Sequence, residues 1–207
     1  MSAFSLNVVA QSLNDCLETP QEMKIDPYLV AFKELRKFFN DLGTVFSFIN
    51  SDLDSKIAIM EEYRANPRVA LHYEGLCSMI AFEKGSGAIE NQNKPSGART
   101  LLRLHRALEF VAQLFQRLST ANEDAAMGSI AQQSYEETLA RHHPWLIRKA
   151  AMWALLALPT CKQAFVKARP DERDHLQTLA QAISNNAYRV FNFTEAVYQK
   201  HGFLDLP

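Results

Sequence analysis

The sequence predicts an all-α fold, arranged as a two-layer helical sandwich. Glycine is scarce, at 7 of 207 residues, and runs alternating in Val, Ile or Thr are few, which argues against sheet. Apolar positions recur at about 100° per residue through most stretches between prolines. Two stretches, 27–50 and 150–158, are apolar on more than one side. A helix of that kind needs partners on both sides, which calls for two layers rather than a simple four-helix bundle.

The elements follow in order. Residues 4–18 have helical spacing and end before Thr19-Pro20. Asp26-Pro27 suits an N-cap and first helical position, opening a helix to about Asn50 rich in phenylalanine: Phe32, Phe38, Phe39, Phe46 and Phe48, with Val45 and Ile49. Ser51-Asp52 can cap a further helix from Leu53 to about Arg64, broken by Asn66-Pro67. Residues 68–83 form the next helix, and a polar loop carrying Lys84 and Lys94 spans 84–97. Ser96 caps a long helix reaching about Leu118. Helices from about Glu123 or Ser129 to Ala140, from Pro144 at the first helical position to Leu158, from Cys161 to Lys167, and from about Asp171 to His201 complete a set of about eight or nine.

The composition is that of a globular protein, with 47% hydrophobic and 22% charged residues. A net charge of -1 excludes a bulk nucleic-acid footprint, so any anion site is local. Cys16, Cys77 and Cys161 are odd in number and far apart, without metal-ligand spacing, which suits buried thiols in a reducing compartment. No signal peptide and no apolar run near the ~18 residues of a membrane span is present. The expectation is a cytosolic chain, residues 1–207 forming one domain, with no metal and no cofactor.

The helix after Ser96 carries the most information. Leu101, Leu104, Leu108, Val111, Ala112 and Phe115 make one apolar face. Arg99, Arg103 and Arg106 share another stripe, which Phe110 and Leu114 continue. Like charges at i,i+4 repel, and an anion held between Arg99 and Arg103 would reverse that cost. On the helical wheel alone, a solvated face with two incidental apolar residues would look the same. Asp52 and Lys56 are also spaced i,i+4, which fits both a surface ion pair with an N-cap and a polar site. His143 precedes Pro144-Trp145 at a helix start, where it could cap and pack or meet a ligand. No GxSxG, HExxH, GxGxxG or P-loop occurs. Three classes therefore remain from the residues: an enzyme without a recognisable nucleophile, a helical interaction module, and a carrier of a hydrophobic molecule with an anionic head.

Taken together, Asp52-x-x-x-Lys56, Arg99-x-x-x-Arg103-Leu-His-Arg106-Ala-Leu and His143-Pro-Trp145 resemble, in order and spacing, the head-group centre of the glycolipid transfer protein superfamily. The likeness covers about residues 28–207, including the terminal Leu-Asp-Leu-Pro, and is less clear over 1–25. In glycolipid-binding members the central motif resembles Trp-Leu-x-Arg-Gly-Leu, with the tryptophan stacked on sugar. Arg103 at that place implies a phosphate instead. The resemblance implies an apolar lipid pocket within the sandwich and non-vesicular transfer of a phosphate-headed sphingolipid, ceramide-1-phosphate, without catalysis. Glycolipid transfer by the same fold is the alternative. It also implies that Asp52 accepts from the amide N–H and hydroxyl, that His143 donates to the acyl carbonyl, and that Lys56, Arg99 and Arg103 hold the phosphate. The lipid chains are expected among Phe46, Phe48, Ile49, Phe110 and Trp153, with Trp145 touching the membrane surface. The partners so implied are the sphingolipid and a transient membrane contact, with a monomeric protein and no nucleic acid.

Overall fold

The computed structural model describes residues 3–43, 46–91, 95–165 and 170–207. The expectations at Val45, Lys94 and Lys167 lie outside them. Among the described residues there are nine α-helices and no strand: α1 (Leu6–Asp15), α2 (Ile25–Asp41), α3 (Ser47–Ala65), α4 (Leu76–Ser86), α5 (Gly97–Leu118), α6 (Met127–Glu137), α7 (Trp145–Leu156), α8 (Cys161–Ala164) and α9 (Leu176–His201). Single 3₁₀ turns occupy Ala70–Tyr73, Leu139–His142 and Pro170–His175.

The helices form the two-layer sandwich, and α5 is its axis. It packs most extensively on α9 and also touches α3, α4 and α6, while α1 packs on α2 and α9. The predicted apolar face of α5 is fully enclosed, each of Leu101, Leu104, Leu108, Val111, Ala112 and Phe115 being buried. The N-terminus of α5 is fixed twice. Ser96 Oγ accepts from Arg99 N at 3.2 Å, the predicted cap. The carboxylate of Glu83, wholly buried at the end of α4, accepts from Gly97 N (2.5 Å), Ala98 N (3.0 Å) and the Tyr73 hydroxyl (2.7 Å). A negative charge at a helix N-terminus is favoured by the free N–H groups and the helix dipole. Gly97 is needed for this approach, because a Cβ there would lie 2.6 Å from Met79 Sδ and 2.7 Å from Tyr73 Cε1. Glu172 plays the same part for α1, accepting from Leu6 N at 2.7 Å and from the Ser5 hydroxyl.

Several predicted boundaries move. The long helix expected over 27–50 breaks at Gly43, whose φ of +115° is open to glycine but not to ordinary side chains. Consequently Ser51 and Asp52 are not a cap but lie inside α3, one turn past its start, with Asp52 free to project. Helix α2 begins at Ile25, so Asp26 falls in the first turn, where Arg64 of α3 grips it through Nε (2.8 Å) and Nη2 (2.6 Å). The stretch 68–83 divides into a 3₁₀ turn and α4, with Gly75 between them. The greatest departure is α7, which is not enclosed all round: Trp145, Leu146, Trp153 and Leu156 are exposed along it.

Removing the Glu83 carboxylate should strand the donors gathered on it. Glu83→Ala is expected to lose about 3 kcal/mol or more, at roughly 1.5–3 kcal/mol per charge-assisted bond. For a chain of this size that is a fall of roughly 6–12 °C in the unfolding midpoint, measured by calorimetry. An unchanged midpoint would mean that α5 is held in place by its packing alone.

Candidate functional site

Helix α3 presents Asp52 and Lys56 on one side because residues four apart share a helical face. Their side chains form an ion pair in which Lys56 is only 12% exposed and Asp52 66%. Facing them is α5 with its cationic stripe, and the turn before α7 brings in His143. A cavity of about 550 Å³ opens between these elements, and Asp52, Lys56, Arg103 and His143 all line it. Its remaining wall is largely apolar, with Phe46, Phe48, Ile49 and Phe110 among the lining residues together with Phe39 and Ala151. A second, more polar hollow of about 600 Å³ adjoins it. Lys56 and Arg103 belong to both, and Arg99, Ser55 and Pro207 line the second.

The four cations near this junction differ in what they already hold. Arg99 donates to the backbone oxygens of Asn91 (3.1 Å) and Ile89. Arg106 Nη2 donates to Leu204 O at 2.8 Å, and burial together with the Arg103 charge lowers its pKa. Lys56 has Asp52. Arg103 is exposed and has neither a hydrogen bond nor an ion pair among the described residues. Helix α7 contributes Ala151, Ala154 and Leu155 to the cavity wall, while its Trp153 is 73% exposed and lines neither hollow. The expectation that Trp153 belongs to the chain pocket is therefore corrected. Trp145 is 61% exposed, with Lys149 Nζ 5.0 Å from its ring centre.

A model described as glycolipid transfer protein matches residues 23–170. The chain belongs to the glycolipid transfer protein family. Human ceramide-1-phosphate transfer protein is 38% identical over 213 aligned residues, covering 100% of this chain and 98% of that one. The apo crystal structure of the mouse ceramide-1-phosphate transfer protein is similar with a TM-score of 0.91 at 35% identity, covering 99% of this chain and 100% of that one. The human protein in complex with 2:0 ceramide-1-phosphate is similar with a TM-score of 0.86 at 36% identity, each chain covered at 100%.

Three further residues line the cavity that are not among the expected site residues. Tyr135 lines the cavity, and its hydroxyl lies 2.8 Å from His143 Nδ1. His142 and Arg106 also line the cavity. A sequence signal exists for the last two, since His142 adjoins His143 and Arg106 lies on the cationic stripe, but the resemblance implies no role for either. For Tyr135 there was none, because an aromatic residue at helical spacing ordinarily reads as core. Among the described residues no three His, Cys, Asp or Glu side chains group as a metal site would need, and no helix is long and apolar enough to cross a membrane.

Burial lowers the pKa of His143, opposed by the charge of Asp52. Burial and the charges of Arg106 and Arg141 take His142 from 6.5 down to about 4. Between those two values the unfolded chain binds the extra proton and the folded one does not, so this contribution to stability is full above about 6.5 and lost as the pH falls towards 4. Unfolding midpoints measured across that range should decline with acid in the wild type, and less steeply in His142→Asn. Superimposable declines would show that the ring is not held neutral by the fold.

Proposed function

We propose that this protein carries ceramide-1-phosphate between membranes, one molecule at a time. The observation that carries the reading is the junction of two chemistries: Lys56 and Arg103 stand where an apolar cavity meets a polar hollow. A phosphate needs several paired cations once it leaves water, and Lys56, Arg99 and Arg103 are in position to supply them. Asp52, an acceptor, takes the amide N–H and hydroxyl of the sphingoid base, and His143 donates to the acyl carbonyl, so each polar group of the amide has a partner. The lipid chains lie against Phe46, Phe48, Ile49 and Phe110. The similarity to proteins named for ceramide-1-phosphate transfer supports the same choice.

No bond is made or broken in this process. The driving force is apolar transfer, about 0.8 kcal/mol per CH₂, which makes a bare lipid crossing water slow and an enclosed chamber necessary. Trp145 meets the membrane, where an amphipathic ring is favoured at the interface. The protein acts as a monomer from the cytosol, and residues 1–207 work as one transfer domain, to which α1 belongs through its packing on α2 and α9.

Fluorescent-lipid transfer between vesicles tests the assignment, with thermal unfolding read on the same preparations. Arg103→Leu should reduce ceramide-1-phosphate transfer about ten-fold or more, the loss of a charge-assisted bond worth roughly 1.5–3 kcal/mol. Its unfolding midpoint should hold, because i,i+4 repulsion in the empty protein is relieved. Full transfer with no change in preference over a glycolipid would sink the phosphate site.

Asp52→Val should abolish transfer of every sphingolipid, since the amide contact is common to all. Retained activity would show that Asp52 serves only as the ion-pair partner of Lys56.

A further inference from the structure

Tyr135 is 4% exposed, and its ring is held edge-on by Phe110 at a centroid distance of 6.5 Å. Its hydroxyl meets a single polar group among the described residues, His143 Nδ1 at 2.8 Å. Two arrangements of the proton are conceivable. If Nδ1–H donated, the phenol would have to accept, and its own O–H would face the cavity wall with no acceptor among the described residues, which is unfavourable for a donor on a side chain this deeply buried. If the phenol donates to Nδ1, the deeply buried phenol is satisfied, and the donor left over is the Nε2–H of the less buried His143 ring, which lines the cavity. A neutral imidazole carries one donor and one acceptor nitrogen, so accepting at Nδ1 puts the proton on Nε2. Nε2 is also the nitrogen that Tyr135 leaves available to a ligand.

We infer that Tyr135 is a positioning residue, whose hydroxyl fixes the His143 ring and its tautomer so that His143 offers the ligand an N–H and not a lone pair. This rests on the proposed lipid-carrier reading for its use but not for its geometry. The group recognised at His143 must then be an acceptor oxygen, such as an amide carbonyl, and Asp52 is left to take the donors. Burial of His143 works in the same direction, since a protonated ring would donate from both nitrogens and displace the phenol proton. The charged groups acting on the pair are Asp52, which favours the protonated ring, and Arg148, whose charge acts on Tyr135.

Long-range ¹H–¹⁵N correlation spectra of the ligand-free, ¹⁵N-labelled protein at neutral pH read the tautomer directly. The expected result is a neutral His143 protonated on Nε2. In Tyr135→Phe, which keeps the ring packed on Phe110, the signals should move towards a mixture of tautomers, and ceramide-1-phosphate transfer should fall about five- to ten-fold, in line with the loss of one neutral hydrogen bond and its orientation. A wild-type His143 protonated on Nδ1 would overturn the inference without any variant being made. So would a Tyr135→Phe protein with the wild-type tautomer and full transfer. If the wild type shows the Nε2 tautomer yet moves no ceramide-1-phosphate, the lipid reading fails and the positioning role stands.

Discussion

Everything at the site is referred to α5, and α5 is referred to the carboxylate of Glu83. A buried charge with no cation beside it would ordinarily be expelled or neutralised. Here two backbone N–H groups and one phenol converge on it, and the helix N-terminus adds its own partial positive charge. The arrangement fixes the first turn of α5 in both translation and rotation, because a carboxylate that accepts from two successive N–H groups leaves little freedom in either. Gly97 is the complement, since any Cβ would push Tyr73 and Met79 apart from that turn. Once the first turn is set, a rigid 22-residue helix places Arg99, Arg103, Arg106 and Phe110 in a known line. The cationic end of the cavity is therefore built by an acid that never touches it.

The cationic site is electrostatically unbalanced. Arginines four apart repel, and three of the four cations here have found different partners. Arg99 leans on two carbonyls, Arg106 on the Leu204 carbonyl, and Lys56 on a largely exposed aspartate. An ion pair open to water on one side is worth only about 0–1 kcal/mol, so Asp52 and Lys56 can exchange each other for a ligand at little cost. Arg103 has no settlement at all among the described residues. A protein that leaves one local conflict unresolved at the mouth of a cavity has left room for an anion to resolve it.

The sequence made α5 legible because its pattern has period, cap and charge in agreement: apolar residues on one face, Ser96 at the start, arginines on one stripe. The i,i+4 spacing of Asp52 and Lys56 was readable for the same reason, as helical geometry carries both to one face whatever the exact start of the helix. What could not be read depended on tertiary approach. Glu83 and Glu172 look like ordinary surface acids until a helix N-terminus 14 residues away, or one at the far end of the chain, is brought onto them. The break at Gly43 was masked by phenylalanines on both sides, which continue the apolar pattern through a residue that leaves the helical region of backbone space. Tyr135 was hidden by its own burial, since only contact with His143 separates it from any other core aromatic.

The misplacement of Trp153 has a more general cause. Hydropathy records that a residue avoids water, and three different surroundings satisfy it: protein core, an apolar cavity, and lipid. In the structure one side of helix α7 faces the cavity and the other is exposed. Its small residues, Ala151 and Ala154, and Leu155 form the cavity wall, while Trp145, Leu146, Trp153 and Leu156 are turned outward. A helix greasy all round was read as one that needs protein on every side, but four large apolar side chains in one exposed stretch are costly to leave in water. They suit the membrane contact proposed above, and the protein packing on this helix comes chiefly from α6. One helix thus turns its small residues to the cavity and its large apolar ones to the outer surface, the side that the proposed membrane contact would cover.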